Sequence, residues 1–188
     1  MAQMPTPTKA DGDNLPPGTS PELREQYHYV KTKVQALTPA QRQALFAVVA
    51  TPAMLKSFLA NSTMRSHTGL IGPQFEFLAA NGTANLWYPG NSQTVPSQWK
   101  TTSGQGIVQM CFKYPAASFD PSTGTHGGSW DCEDARDYLI SHEEILSGDL
   151  FGLASGRVPY VLTKKDITAG KAVKSAGLKA HLSSKITW

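Results

Sequence analysis

Apolar positions in the first third of the chain recur at helical spacing. Leu23, Tyr27, Val30, Val34 and Leu37 fall at intervals of four and three, one stripe of an amphipathic helix. Ala44, Leu45, Val48 and Val49 make a second stripe, and Met54, Leu55, Phe58 and Leu59 a third. A hydroxyl residue and a proline precede each run, at Ser20-Pro21, Thr38-Pro39 and Thr51-Pro52. The hydroxyl oxygen satisfies an unpaired N–H of the first turn, and proline has none to satisfy. Thr38-Pro39-Ala40-Gln41 also carries the capping-box pattern. Three short helices are therefore expected within residues 20–62, each needing a surface to cover.

After Leu70 the period shortens. Runs at 74–78 and 84–88 flank Asn81-Gly82, a hairpin signal because both residues tolerate positive φ. Further runs at 98–101, 106–114, 130–141, 149–154 and 159–163, separated by Gly, Pro, Ser and Asp, read as strands. Val108, Met110, Phe112 and Tyr114 alternate with Ile107, Gln109, Cys111 and Lys113, and the first set is the expected core face. Residues 115–129 form a connection long enough to be functional or mobile. The predicted fold is α+β: N-terminal short helices packed on a curved antiparallel meander sheet or small β-barrel over residues 68–165.

Composition narrows this picture. At 188 residues the chain can bury one domain's core, and 16% charged residues with 16 Gly and 13 Pro exclude coiled coils and long helical arrays. No run of 18 apolar residues occurs, so the sequence offers no spanning helix. Residues 1–19, rich in Pro, Thr, Gly and Asp, read as a disordered leader. Residues 20–165 read as one domain, and 166–188 as a basic tail. Net charge is +3, too small for a dedicated nucleic-acid binder. Lys164, Lys165, Lys171, Lys174, Lys179 and Lys185 concentrate the positive charge at the end of the chain. The plain reading is a solvated terminus; the functional one is contact with an anionic surface.

Candidate chemistry is sparse. His126-Gly127-Gly128-Ser129-Trp130 is similar to the oxyanion string of esterases, but no G-x-S-x-G elbow follows, and a Gly-rich turn is expected instead. His126 and His142 flank or enter the acidic stretch Asp131, Glu133, Asp134, Asp137, Glu143 and Glu144. Their spacing matches no zinc or calcium motif, so no metal and no cofactor is expected. Cys111 and Cys132 are compatible with one disulfide or with two free thiols. Most aromatic residues belong to the core, while Trp87, Tyr88, Trp99 and Trp130 are the candidates to line a ligand site at the open end of the sheet.

The Asn81-Gly82-Thr83 hairpin, Trp99, Cys111-Phe112-x-Tyr114, Trp130-x-Cys132 and Gly148-Asp149 together resemble small exported bacterial proteins of unknown function. Those proteins have a lipocalin-like antiparallel sheet and a cysteine pair, and the resemblance covers residues 68–163. It implies export, a Cys111–Cys132 disulfide and a non-enzymatic role. The expected function is thus an exported binding module for a small apolar ligand or a protein partner in the bacterial envelope, with a signal peptide removed before Ala2. Free thiols at Cys111 and Cys132 would place the chain in the cytoplasm. The alternative is a secreted effector or enzyme of unfamiliar type built on His126, His142 and the acidic residues of 131–144.

Overall fold

A computed structural model describes residues 21–104, 106–120, 124–186 and 188. Ser20 and the expected leader, 1–19, lie outside these residues. The three helices form where the stripes place them: α1 (Pro21–Ala36), α2 (Pro39–Val48) and α3 (Pro52–Leu59). Thr38 Oγ1 accepts from the Gln41 N–H at 3.2 Å while Gln41 Oε1 accepts from the Thr38 N–H at 2.9 Å, which completes the capping box. Val30, Leu45, Val49, Leu55 and Leu59 are buried. Met54 departs from its stripe: it is 47% exposed, one position before Leu55 and turned outward.

Among the described residues nine strands follow: β1 (Ser62–Thr68), β2 (Gly72–Leu78), β3 (Thr83–Trp87), β4 (Val95–Gly104), β5 (Ile107–Lys113), β6 (Phe119–Asp120), β7 (Thr125–His126), β8 (Asp131–Asp134) and β9 (Glu144–Ser147). Helix α4 (Ala135–Ser141) separates β8 from β9, and α5 (Ala169–Ser175) comes late in the chain. Seven strands form one antiparallel sheet in the order β8-β5-β4-β3-β2-β1-β9. Its two outermost strands are therefore joined by residues 135–143 alone. A flat seven-stranded sheet would hold those edges roughly 29 Å apart. One seven-residue helix and two extended residues span only about 17 Å. The connection is satisfied by curling, and the sheet is a half-barrel with α4 lying across the seam.

Residues opposite one another in register share a face. Met64, Glu76, Leu78, Trp99, Met110 and Phe112 point inward and pack with α1–α4. Val108 and Tyr114 pack against the same cluster, as their alternation predicts. Phe75, Phe77, Trp87 and Leu146 point outward and are covered by Phe151, Leu153, Leu162 and the Ala169, Ala172 and Val173 face of α5. The Lys-rich end of the chain is thus built into the fold. Ser147 N donates to Ser183 O at 2.9 Å and Lys185 N to Ile145 O at 2.8 Å, so residues 183–185 cover the free edge of β9.

Four expectations need correction. The run 130–141 is a four-residue strand followed by α4, because Asp134 accepts the Arg136 N–H at 2.8 Å and starts a helix. Residues 149–154 are not a strand: Asp149 carboxylate oxygens accept from the N–H groups of Leu153 (2.8 Å) and Ala154 (2.9 Å) and close a 3-10 turn, Leu153–Ser155. Residues 159–163 cross the outer face without regular structure. The sheet begins at Ser62 rather than residue 68. At the hairpin only Gly82 takes positive φ, +87°, while Asn81 Oδ1 accepts from the Thr83 N–H at 3.0 Å.

Candidate functional site

Glu76 stands in the middle of β2 and faces the apolar interior. Its Oε1 accepts hydrogen bonds from Tyr114 Oη at 2.9 Å and from Ser97 Oγ at 3.4 Å. Among the described residues no cation pairs with it. Burial pushes its carboxyl up to about 7, further than the two hydrogen bonds pull it down. Burial and the nearby Glu76 charge likewise raise the Tyr114 phenol well above its ordinary value. Tyr138, on the inward side of α4, is 3% exposed, and among the described residues its hydroxyl has no hydrogen-bond partner. Its phenol too is raised by burial and then by Glu76.

His142 follows directly on α4, and its ring packs on Tyr138 with centroids 4.3 Å apart. His142 Nδ1 lies 2.7 Å from Tyr138 O. Burial lowers the imidazole's pKa, outweighing the backbone hydrogen bond and Glu133. On its other side the histidine lines a cleft of about 230 Å³. Ala36 at the end of α1 and Leu37 just after it, Ile140 from α4, and Ile186 and Trp188 give this cleft apolar walls, and Lys33, Gln41 and Glu143 join His142 as its polar groups. The Trp188 indole N–H is buried with no acceptor among the described residues.

The acidic stretch is dispersed by the fold. Asp134 caps α4 and accepts from Arg136 Nε at 2.9 and 3.1 Å. Glu143, Glu144 and Asp166 surround Arg65 of β1, which is 3% exposed. Arg65 Nε also donates to Ile167 O at 2.7 Å. Asp131 is exposed on β8. His126 lies on the exposed β6–β7 ribbon against Phe119, centroids 5.2 Å apart, in surroundings unlike those of His142. Among the described residues no group of three His, Cys, Asp or Glu side chains is placed to hold a metal ion. Gly127 packs where a Cβ would come 2.2 Å from Pro115 O, so the His126–Trp130 string serves a tight loop closure.

The four aromatic candidates do not come together. Trp87 is buried on the outer face, its indole donating to Tyr160 O at 3.1 Å, while Trp99 is buried on the inner face and donates to Ala79 O at 2.9 Å. Tyr88 is half-buried beyond the end of β3. Trp130 is 37% exposed, with Lys100 Nζ 4.2 Å from its ring centroid. Cys111 and Cys132 face each other across β5 and β8 and form a disulfide. Lys164 donates to Leu70 O at 3.0 Å, and Lys185 to Phe58 O, Ala60 O and Ser62 Oγ. Lys165, Lys171, Lys174 and Lys179 are exposed. Sequence reasoning missed Glu76 and Arg65, since a single acidic or basic residue inside a strand carries no motif. It also missed the cleft, which four separate segments build.

Fold and site define a disulfide-bonded α+β half-barrel with a side cleft at its helical seam. No described helix is long and apolar enough to cross a membrane. No protein-family model, curated protein or solved structure matches the chain.

Proposed function

We propose that this chain is an exported, non-enzymatic module of the bacterial envelope that binds a small, largely apolar ligand in the cleft between α1, α2, α4 and the residues Ile186 and Trp188. The carrying observation is the cleft itself: apolar walls, a few polar groups, and a position beside the helix that closes the sheet. At about 230 Å³ it is smaller than pockets for drug-sized ligands, which favours a compact molecule over an extended lipid. The Cys111–Cys132 disulfide supports an oxidising compartment and hence export. The ligand would lie beside the curled sheet rather than inside it. An accessory contact with an anionic surface would rest on Lys165, Lys171, Lys174 and Lys179.

The test is a titration of small aromatic and short aliphatic compounds against protein carrying ¹⁵N-labelled tryptophan. A binder shifts the Trp188 indole N–H saturably, while Trp87 and Trp99, bonded to carbonyls in the two cores, stay in place. Ala36→Trp, at an exposed position on the cleft wall, fills the space and removes the response. If no compound moves Trp188, or if Ala36→Trp binds unchanged, the reading is wrong.

A further inference from the structure

Resting on the cleft reading above, we infer that His142 selects ligands whose apolar body carries a hydrogen-bond donor, a hydroxyl first of all. A carbonyl oxygen only accepts, so the 2.7 Å contact with Tyr138 O places the ring proton on Nδ1. Nε2, across the ring, then carries a lone pair, and among the described residues nothing donates to it. Stacking on Tyr138 holds the ring plane in place. His142 lines the cleft, and its ring is held by Tyr138 before any ligand arrives.

The groups facing His142 sharpen the choice. Tyr138 comes from α4, Glu133 acts from β8, Glu143 is the next residue, and Lys33 stands on the α1 side of the cleft. Burial keeps the imidazole neutral near pH 7, so Nε2 remains an acceptor. A carboxylate ligand has no proton to donate to Nε2. A hydroxyl has the proton that a neutral imidazole nitrogen accepts.

Phenol against anisole, and benzyl alcohol against benzyl methyl ether, are matched pairs that differ in the donor. Titrated calorimetrically into the full chain at pH 7.5, the hydroxyl compounds bind about three- to tenfold tighter, the worth of one net hydrogen bond. The preference disappears in His142→Phe, and in the wild type as the imidazole is protonated at acid pH. ¹⁵N spectra of the wild-type imidazole, which need no variant, show the Nδ1–H tautomer. Equal affinities within each pair, or an Nε2–H tautomer, overturn the role of His142 and leave the cleft reading standing. Failure of all four compounds to bind overturns the cleft reading as well.

Discussion

The Tyr114 hydroxyl meets the Glu76 carboxyl at 2.9 Å inside the half-barrel, and among the described residues no cation shares the pair. Glu76 stands on β2 and Tyr114 directly after β5, with β3 and β4 between those strands, and the curl of the sheet brings the two side chains together over Ser97.

Such a carboxyl makes stability fall as pH rises. Folded, it holds its proton up to about pH 7; unfolded, it releases it near 4.5. The folded state therefore gains fully below pH 4.5 and loses that gain as pH climbs through 7, by roughly 3 kcal/mol. Glu76→Gln keeps an acceptor for Tyr114 and cannot ionise. It is expected to raise the urea midpoint at pH 8 and to flatten the profile between pH 5 and 7. Parallel wild-type and variant profiles would contradict this. His142 works with the opposite sign: its lowered folded value costs stability as pH falls below 6.5, so the variant isolates that acid limb.

The disulfide should resist reductants while the chain is folded. Cys132 is exposed, but attack on its sulfur must expel a thiolate at Cys111, which is fully buried. Thiol trapping in dithiothreitol is expected to show reduction at the rate of unfolding, speeding up sharply in urea. Fast native-state reduction would argue otherwise. The Cys111→Ala, Cys132→Ala pair should cost about 3 kcal/mol for a loop of 21 residues.

Arg65→Met leaves Glu143, Glu144 and Asp166 without their shared cation. Those carboxylates keep 30%, 25% and 57% exposure, so the cost falls below that of a sealed pair, about 2–3 kcal/mol. Added salt should restore part of the loss in a thermal melt, since it screens the remaining repulsion. No loss of melting temperature would show that the three carboxylates do not depend on Arg65.

Lys185 is the C-terminal clamp of α3, its ammonium donating to Phe58 O at 2.8 Å and Ser62 Oγ at 2.7 Å. Lys185→Met retains the stem and removes the donors, for an expected loss of about 1–2 kcal/mol. The cleft should respond too, because Ile186 and Trp188 follow immediately. A variant with unchanged stability and unchanged Trp188 signal would count against the clamp.

Local signals were legible wherever the residues that create an element are neighbours in the chain. Thr38 and Gln41 cap α2 across one turn, and Asn81-Gly82 reverses the chain within a hairpin. The inward alternation of Val108, Met110, Phe112 and Tyr114 needed no distant partner to be read. β1 was not legible: Ser62–Thr68 contains Ser, Thr, Arg and His, and it is a strand because β2 and β9 pair with it on both sides. The stretch after Trp130 misled because Tyr138, Leu139 and Ile140 suit a strand locally, while the Asp134 cap and burial on every side make it a helix. Glu76 and the cleft follow from curling, which only the short α4 connection enforces.

The strap at residues 183–185 fixes when this chain can finish folding. Strand β9 lies between β1, some eighty positions earlier, and a segment nearly forty positions later. Arg65 likewise finds Asp166 at a separation of 101 residues. Contacts so distant close large loops before they repay them, which slows folding toward the millisecond-to-second range. A growing chain that stops short of Lys185 has a bare strand edge and an uncapped α3, so it has little to hold it in the native shape. Passage across a membrane as an unfolded thread would find such a chain still open.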